Sequence, residues 1–337
     1  MTDYYADFDL GTGNNDGSDW SNAWQTMADA IAGTNSTAPG EGDTVYCRGT
    51  DTLSSGLELT STNAGTVADG YCKFIGVDAS GNNVGGSTRA VLDGNDGAFD
   101  ILKFNGCGHF WLENFEIHNT NEASGNDGIV TAAAYSNNCR FINVIVHNCH
   151  TGIDCGAGYM RFATFLRCRS YDNAGNGWED PRYCLLAFCR ADNNSTYGFK
   201  GYDTGFIGCI AHDNGSDGFY LYGGLDSVFS NIHCTSYNNT DDGYDVLNDS
   251  FPLLCSRAAS NGGHGVEIDA AQRIPIFYYY GDDTNEITGY YDEVLNDGSS
   301  TITTNGTDTD EGFEDPASDD YNLTSDATYR REAVEIP

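Results

Sequence analysis

The sequence predicts an all-β protein, a right-handed parallel β-helix with a short N-terminal capping helix. The prediction depends on a repeat between residues 139 and 269, in which each unit has an apolar strand, an Asn, a turn, a Gly and a second strand. The Asn residues are Asn148, Asn173, Asn194, Asn214, Asn239 and Asn261. The Gly residues are Gly152, Gly177, Gly198, Gly218, Gly243 and Gly265, spaced by 25, 21, 20, 25 and 22 residues. A period in the low twenties built from strands is typical of a solenoid of stacked parallel coils.

The composition agrees with this fold and narrows the class of partner. The 337 residues include 42 Gly but only 6 Pro, which suits short strands joined by tight turns. With 50 acidic against 15 basic residues, the formal net charge is −35. Such a field repels phosphate backbones, so nucleic acid is not expected as a partner. Membrane insertion is not expected either, because no apolar run has spanning length.

The chain is expected to form one structural domain with a cap at each end. Residues 1–50 are predicted as the N-terminal cap, residues 51–290 as the parallel β-helix, and residues 291–337 as a closing coil or C-terminal cap. The most regular coils are expected at 139–269. The given chain begins without a signal peptide, and an extracellular or virion location is expected.

Within the N-terminal cap, a short amphipathic helix is expected to close the open end of the solenoid. Ser21 is a candidate N-cap for this helix, which would run to about Ala32. The segment from Thr44 to Cys47 is predicted as the first strand.

Two rows of the repeat are predicted to point inward and to serve structure. Four of the twelve cysteines lie five residues before the Asn of their own coil: Cys168, Cys189, Cys209 and Cys234. They should stack as small buried hydrophobes, and mostly free thiols are expected because parallel in-register strands point their Cβ atoms the same way. The Asn row is expected to form an internal ladder of side-chain amides.

Other rows are predicted to point outward and to contact a substrate. Counting from each Gly, the second residue faces out, which gives Asp154, Glu179, Lys200, Tyr220, Asp245 and Glu267. On the strand before the Asn, the expected outward residues include Arg167, Arg169, Arg190 and His212. A group of arginines in an acidic chain suits an anionic sugar polymer. The alternative is an ordinary solvated face without a ligand.

Three short segments resemble the polygalacturonases, which are parallel β-helix glycoside hydrolases. They are Asn214-Gly-Ser-Asp217-Gly218, Asn239-Thr-Asp241-Asp242-Gly243 and Gly263-His264-Gly265, one coil apart. The resemblance implies Asp242 as general acid, Asp217 and Asp241 as the residues that activate water, and His264 as an assisting residue. The chain departs from the family in having Gly243 where a Cys is usual, and in lacking the Lys of the later Arg-Ile-Lys motif.

A second hypothesis assigns lyase chemistry to the outward row after each Gly, because β-helix polysaccharide lyases neutralise a uronate carboxylate with Ca²⁺ or Arg and remove a proton with a Lys, Arg or Tyr. Lys200 would be the base and Tyr220 the acid, and Glu179, Asp180 and Asp203 would bind Ca²⁺. The hydrolase hypothesis requires no cofactor, so Ca²⁺ is expected only if the chain is a lyase or binds its polymer through the cation.

A third hypothesis is not enzymatic. Phage tailspikes use this fold as a stiff rod that binds host-surface glycans, and the start of this chain resembles that of bacterial and phage β-helix proteins. A homotrimer or other virion proteins would then be partners. The sequence predicts a protein that binds an acidic polysaccharide and leaves open whether it cleaves the polymer.

Overall fold

The computed structural model describes residues 1–83, 89–132, 134–156, 159–223, 231–247, 253–254 and 256–268, with the strand segments 276–277, 280–281, 313–315 and 320–323. These residues form a right-handed parallel β-helix, which confirms the predicted fold class. Each coil passes in turn through a first, a second and a third parallel sheet.

The three sheets account for nearly all strands among the described residues. The first sheet contains Asp3–Asp7, Thr44–Arg48, Cys72–Gly76, Phe110–Glu113, Arg140–Ile142, Thr164–Leu166, Leu185–Ala187, Gly205–Ile207, Asn231–Ile232, Leu253–Leu254 and Ile276–Phe277. The second contains Thr50–Thr52, Ala90–Gly97, Phe115–Thr120, Ile145–His147, Arg169–Tyr171, Arg190–Asp192, Ile210–His212, Thr235–Tyr237, Arg257–Ala259 and Tyr280–Gly281. The third contains Leu57–Thr60, Leu102–Asn105, Ile129–Thr131, Ile153–Asp154, Trp178–Arg182, Phe199–Tyr202, Phe219–Tyr222, Tyr244–Val246 and Val266–Ile268, with Ser136–Asn137 and Met160–Arg161 alongside.

Single residues in the left-handed region turn the chain between the first and second sheets. They are Asn114, Asn143, Arg167, Phe188, Gly208 and His233, with φ between +53° and +59°. Asn and Gly adopt this conformation at little cost, whereas side chains such as those of Arg167 and Phe188 do so under strain. Each turn directs the residue after it into the core, which is how Cys168 and Cys189 become buried.

The interior confirms the predicted inward rows. The residues that follow each repeated Gly are buried, and the rings of Trp178, Phe199, Phe219 and Tyr244 stack with successive centroid distances of 4.8, 4.9 and 4.9 Å. The eleven described cysteines are buried and free. Several thiols donate to a backbone carbonyl of the preceding coil, as Cys168 Sγ does to Phe141 O at 3.4 Å.

The predicted Asn ladder runs from Asn173 to Asn261. In each step, one side-chain Oδ1 accepts hydrogen bonds from both the backbone N and the Nδ2 of the Asn in the preceding coil. The inclusion of Asn148 was wrong, because this residue is exposed with a φ of +52°. Cys149 takes its place and donates its backbone N–H to Asn173 Oδ1 at 3.1 Å, since the turn before Gly152 is one residue shorter than in later coils.

The N-terminal region differs from the sequence prediction at two points. The first strand is Asp3–Asp7, which pairs in parallel with Thr44–Arg48, so the prediction of a first strand at Thr44 was wrong. The helix is Met27–Ala32, and its N-cap is Thr26 rather than Ser21. Thr26 Oγ1 accepts from the backbone N of Asp29 at 3.0 Å, and Asp29 Oδ2 accepts in return from Thr26 Oγ1.

The helix contributes Met27 and Ala30 to the hydrophobic core. Among the described residues, no helix is long and apolar enough to cross a membrane. Near the C-terminus, Phe313–Asp315 and Asp320–Leu323 pair antiparallel. The rest of the closing coil predicted for 291–337 lies outside the described residues.

Candidate functional site

The residues predicted to face outward after each Gly form one continuous row on the third sheet. Strand pairing places them in register from coil to coil, and it extends the row by three residues toward the N-terminus. We call the whole set the outer row: Glu58, Lys103, Val130, Asp154, Glu179, Lys200, Tyr220, Asp245 and Glu267. Neighbouring strands lie about 4.8 Å apart, so the row is a long linear surface, interrupted by the buried Val130, that contains two of the three lysines of the chain.

The middle of the outer row is an ion pair between Lys200 and Glu179. Lys200 Nζ lies 2.7 Å from Glu179 Oε1 and 3.9 Å from Asp180 Oδ1. Burial on its own would lower the pKa of Lys200, but the hydrogen bond and charge of Glu179, together with Asp180, raise this pKa overall. Lys200 therefore holds its proton at neutral pH.

A pair of tyrosines continues the row beyond Lys200. The rings of Tyr197 and Tyr220 have centroids 4.5 Å apart. Burial and the charge of Asp245 raise the pKa of Tyr220, so its phenol is protonated at neutral pH. Both rings are partly exposed and offer an aromatic surface against which a sugar ring could pack.

The C-terminal end of the outer row carries five carboxylates, which we call the acidic cluster: Asp217, Asp241, Asp242, Asp245 and Glu267. Carboxylate oxygens of Asp217, Asp241 and Asp242 lie within 4.8 Å of one another. The same holds for Asp242, Glu267 and a ring nitrogen of His264. The fold thus brings together the four residues singled out by the polygalacturonase resemblance.

Two members of the acidic cluster bind the backbone of the next coil. Asp217 Oδ1 accepts from Asp242 N at 2.9 Å, and Asp242 Oδ1 accepts from His264 N. Asp217 and Asp242 are only 4% and 3% exposed, and His264 Nδ1 lies 3.2 Å from the bonded oxygen of Asp242. Asp241 and Glu267 are exposed and Asp245 is half-buried, so these three carboxyl groups are the ones that a polymer can reach.

Burial together with like charges raises the pKa of several of these carboxyl groups. The pKa of Asp217 rises to about 7, mainly by burial and then by the charges of Asp242 and Asp241. The pKa of Asp245 also rises to about 7, by burial and by the charges of Asp217 and Glu267. Farther along the outer row, burial raises the pKa of Asp154 to about 7. Carboxyl groups of this kind carry a proton near neutral pH and can donate it.

The structure does not bring together the predicted metal ligands Glu179, Asp180 and Asp203. Asp203 is buried at the corner between the third and first sheets, and Asp180 accepts a hydrogen bond from Tyr222 OH. Within the described ranges, the three-residue groups that could hold a cation are the two in the acidic cluster. The all-oxygen group of Asp217, Asp241 and Asp242 has the donor chemistry of a Ca²⁺ site, whereas the group with His264 has mixed donors.

The predicted substrate-binding arginines lie on other surfaces than the outer row. Arg169 and Arg190 are on the second sheet, and both bind Asp192, at 2.5 Å from Arg169 Nη2 and 3.0 Å from Arg190 Nε. Arg167 is exposed at the corner between the first and second sheets. The strand before each Asn belongs to the second sheet and the strand after each Gly to the third, so one combined patch does not form.

His212, predicted to be an outward substrate contact, is covered. Its side chain is 2% exposed, its ring stacks on that of Tyr237 with centroids 4.6 Å apart, and its Nδ1 lies 2.6 Å from Asp213 Oδ2. The expectation of an accessible ring was therefore wrong, because aromatic neighbours in successive coils pack over one another.

Two arginines of the basic group between residues 140 and 190 lie beside the outer row, although the predicted outward rows did not include them. Arg161 and Arg182 are in register with each other on the third sheet, among several tyrosines. Arg161 follows its repeated Gly by nine residues and Arg182 by five. No constant spacing from the Gly could have aligned them.

Three stacked parallel sheets around an internal Asn ladder define the chain as a protein with the right-handed parallel β-helix fold. The crystal structure of pectate lyase Pel9A has a TM-score of 0.66 and 15% identity, covering 97% of this chain and 90% of that chain. The A-module of Azotobacter vinelandii mannuronan C-5 epimerase AlgE4 has a TM-score of 0.54 and 19% identity, covering 82% and 76%. The corresponding values for the AlgE6 A-module are 0.51, 17%, 81% and 75%. No family model and no curated protein matches the sequence.

Proposed function

We propose that this chain binds an acidic polysaccharide along the outer row and hydrolyses it at the acidic cluster. The structures similar to it include proteins named for action on pectate and on mannuronan, both acidic polysaccharides. The outer row supports the proposal because it offers ionic, hydrogen-bonding and aromatic groups in a line that a polymer can follow. An extracellular or virion location would give the chain access to such a polymer.

The observation that carries the hydrolytic proposal is the position of Asp245, which is half-buried in the outer row beside the carboxylates of Asp217, Asp242 and Glu267. Its raised pKa, about 7, leaves a proton available at neutral pH, and its position in the outer row is accessible. Asp245 would donate this proton to the glycosidic oxygen as the bond to the sugar carbon breaks. Asp241, which is exposed, would take a proton from the water whose oxygen bonds to that carbon.

This assignment gives Asp242 a different part from the one that the polygalacturonase resemblance implies. Asp242 is buried and bonded to His264 N, so it is poorly placed to reach a glycosidic oxygen. We propose that Asp217 and Asp242 hold the cluster together, and that their charge raises the pKa of Asp245. His264 would orient Asp242 through its Nδ1.

A divalent cation would help this acidic chain to bind a polyanion. Carboxylates of protein and polymer repel each other unless a cation lies between them. The group of Asp217, Asp241 and Asp242 suits Ca²⁺ by its oxygen donors. We propose it as the place where Ca²⁺ would bind if the chain holds glycan without cleaving it, because the hydrolytic assignment needs Asp241 free and the charges of Asp217 and Asp242 unneutralised.

The contacts of Lys200 argue against the lyase hypothesis. A lyase base must accept a proton, whereas Lys200 is ion-paired with Glu179 and its pKa is raised. We propose that Lys200 and Tyr220 contact the polymer rather than carry out elimination.

A non-catalytic glycan-binding spike, assembled as a homotrimer or with other virion proteins, is the second candidate function. It is favoured by the hydrogen bonds of Asp217 and Asp242 to the backbone, since these two carboxylates have a sufficient structural reason to be present. The outer row would then bind glycan without cleaving it.

One product assay separates these functions. The chain is incubated with pectate, alginate and host capsule, while reducing ends and the absorbance of unsaturated uronate are both followed. We expect new reducing ends without unsaturation. Both signals together would indicate a lyase, and neither signal with retained binding would indicate a spike or adhesin. Asp242→Asn and Lys200→Ala then test the cluster and the lyase base separately.

A further inference from the structure

Arg161 and Arg182 occupy neighbouring positions on the third sheet, beside the outer row. Arg161 is in register with Arg182, and Arg182 with Tyr202, which follows Lys200 by two residues on the same strand. Adjacent strands are about 4.8 Å apart, so the two guanidinium groups are close enough to repel each other. Their juxtaposition therefore needs compensation.

Tyrosine rings supply part of this compensation. Arg161 Cζ lies 4.8 Å from the ring centroid of Tyr135 and 5.3 Å from that of Tyr159. Arg182 Cζ lies 4.1 Å from the centroid of Tyr159 and 4.3 Å from that of Tyr202. Cations are attracted to aromatic faces, so the rings stabilise both charges. We call these two arginines and three tyrosines the arginine–tyrosine cage.

The cage lacks the acceptors that guanidinium groups normally bind. The Nε atoms of Arg161 and Arg182 are buried and have no hydrogen-bond partner, and neither side chain forms an ion pair within the described part of the chain. By contrast, Arg48, Arg169 and Arg190 all bind a carboxylate. In a chain with 50 acidic residues, two adjacent arginines without a carboxylate leave strong donors unused.

The two acidic groups that precede Arg182 on its own strand are already engaged by other residues. Asp180 accepts from Tyr222 OH, and Glu179 is bonded to Lys200 and to Asn176 Nδ2. The free edges of the cage therefore suit an anion from outside the chain. A planar guanidinium fork matches a carboxylate in two parallel hydrogen bonds, and the tyrosine rings suit the apolar face of a sugar.

We infer that the arginine–tyrosine cage binds the carboxylates of an acidic polysaccharide lying along the outer row, and so selects uronates over neutral sugars. The inference rests on the proposed function for the identity of the polymer. It goes further by assigning charge selectivity to Arg161 and Arg182.

The test measures binding of polygalacturonate and of its methyl-esterified form to the full chain by calorimetry. In the double variant Arg161→Gln/Arg182→Gln, we expect the affinity for polygalacturonate to fall by about 10-fold or more, because hydrogen bonds to charged groups are lost. Binding of the esterified polymer should be unchanged. Arg161→Lys/Arg182→Lys, which keeps the charge but loses the fork, should give an intermediate affinity.

Arg140→Gln is the matched control. Its guanidinium also stacks on aromatic rings, those of Tyr71 and Trp111, but it lies on the first sheet. This variant should bind polygalacturonate as the wild type does, and melting temperatures should establish that every variant folds.

Wild-type affinity for polygalacturonate in the Gln double variant would overturn the inference, as would an equal loss for the esterified polymer. Dextran sulfate is measured as a third ligand. If the double variant lost affinity only for dextran sulfate, the inference would also be overturned, since the cage would then select sulfate groups. If the wild type bound neither polygalacturonate, alginate nor dextran sulfate, the proposed function would fail together with the inference. Unchanged binding in the double variant alone would leave the proposed function standing.

Discussion

The turns that lead into the third sheet carry the same arrangement near both ends of the sheet: an Asp accepts a backbone N–H from the Asp of the next coil, which accepts one in turn from the coil after it. We call this arrangement the carboxylate relay. At the N-terminal end, Asp100 Oδ1 accepts from Asp127 N at 3.1 Å, and Asp127 Oδ1 accepts from Thr151 N at 2.9 Å. At the C-terminal end, Asp217 accepts from Asp242 N, and Asp242 from His264 N. A histidine lies next to each central Asp, with His150 Nδ1 at 3.5 Å and His264 Nδ1 at 3.2 Å.

The two relays differ in the charges around them. Asp100 in the N-terminal relay pairs with Lys103, whose Nζ lies 3.4 Å from its Oδ2. The C-terminal relay instead has Asp241, Asp245 and Glu267 as neighbours. Because the relay occurs at both ends, with and without these additional charges, we infer that its hydrogen bonds serve to join successive coils. The groups proposed to act in hydrolysis, Asp241 and Asp245, are among the additional carboxylates at the C-terminal end.

The largest expected difference between the two ends is in catalysis. Asp245→Asn should lower kcat on polygalacturonate by about 10²- to 10⁴-fold, because the variant lacks the proton for the leaving oxygen. Asp127→Asn should leave kcat within about twofold of wild type, because it changes the relay without changing the acidic cluster. Release of reducing ends measures both. Equal losses in the two variants would mean that activity depends only on the integrity of the coil.

In stability, the two relays are expected to behave alike. Asp127→Ala and Asp242→Ala should each lower the free energy of unfolding by about 1–3 kcal/mol, because the first leaves a buried and the second a part-buried backbone N–H without its acceptor. The Asn variants should retain most of the stability, since the amide oxygen can accept the same bond. Chemical denaturation measures these differences. If Asp242→Ala left the free energy of unfolding unchanged, the hydrogen bond from His264 N to Asp242 would contribute little to stability.

Both relays should make the stability of the chain depend on pH. The pKa of Asp127 is raised to about 6 by burial and the charge of Asp100, and that of Asp217 to about 7. The folded state therefore binds more protons than the unfolded state above about pH 4, so stability should fall as the pH rises toward 7. Asp127→Asn/Asp217→Asn should flatten the profile of melting temperature against pH. Activity should decline above about pH 7 as Asp245 loses its proton.

The smallest expected effect is stabilisation by Ca²⁺, and it should occur only at the C-terminal end. Millimolar Ca²⁺ should raise the melting temperature by a few degrees if it binds the group of Asp217, Asp241 and Asp242. Asp241→Asn should remove this shift, whereas Asp127→Asn should preserve it. A shift that persists in Asp241→Asn would place the cation elsewhere.

The comparison also shows why part of the site could not be predicted. The Asp-Gly step before a strand occurs at both ends, as Asp127-Gly128 and Asp242-Gly243, so the motif by itself does not distinguish structure from chemistry. The position of Asp245 could be read from its spacing to Gly243, but its raised pKa depends on Asp217, which is 28 residues away in the sequence. Only the stacking of coils brings these two carboxylates together.

The sequence by itself determined the coil, because the Asn, Gly and Cys rows recur at nearly constant spacing and the strand alternation fixes which side chains point inward. It also fixed the outer row from Asp154 to Glu267, for the same reason. Tertiary structure alone decided which sheet each arginine occupies and whether it has a carboxylate partner. Arg169 and Arg190 bind Asp192 on the second sheet, while Arg161 and Arg182 meet on the third through coils of unequal length. Loop length varies from coil to coil, so the alignment of such residues depends on strand pairing rather than on the repeat.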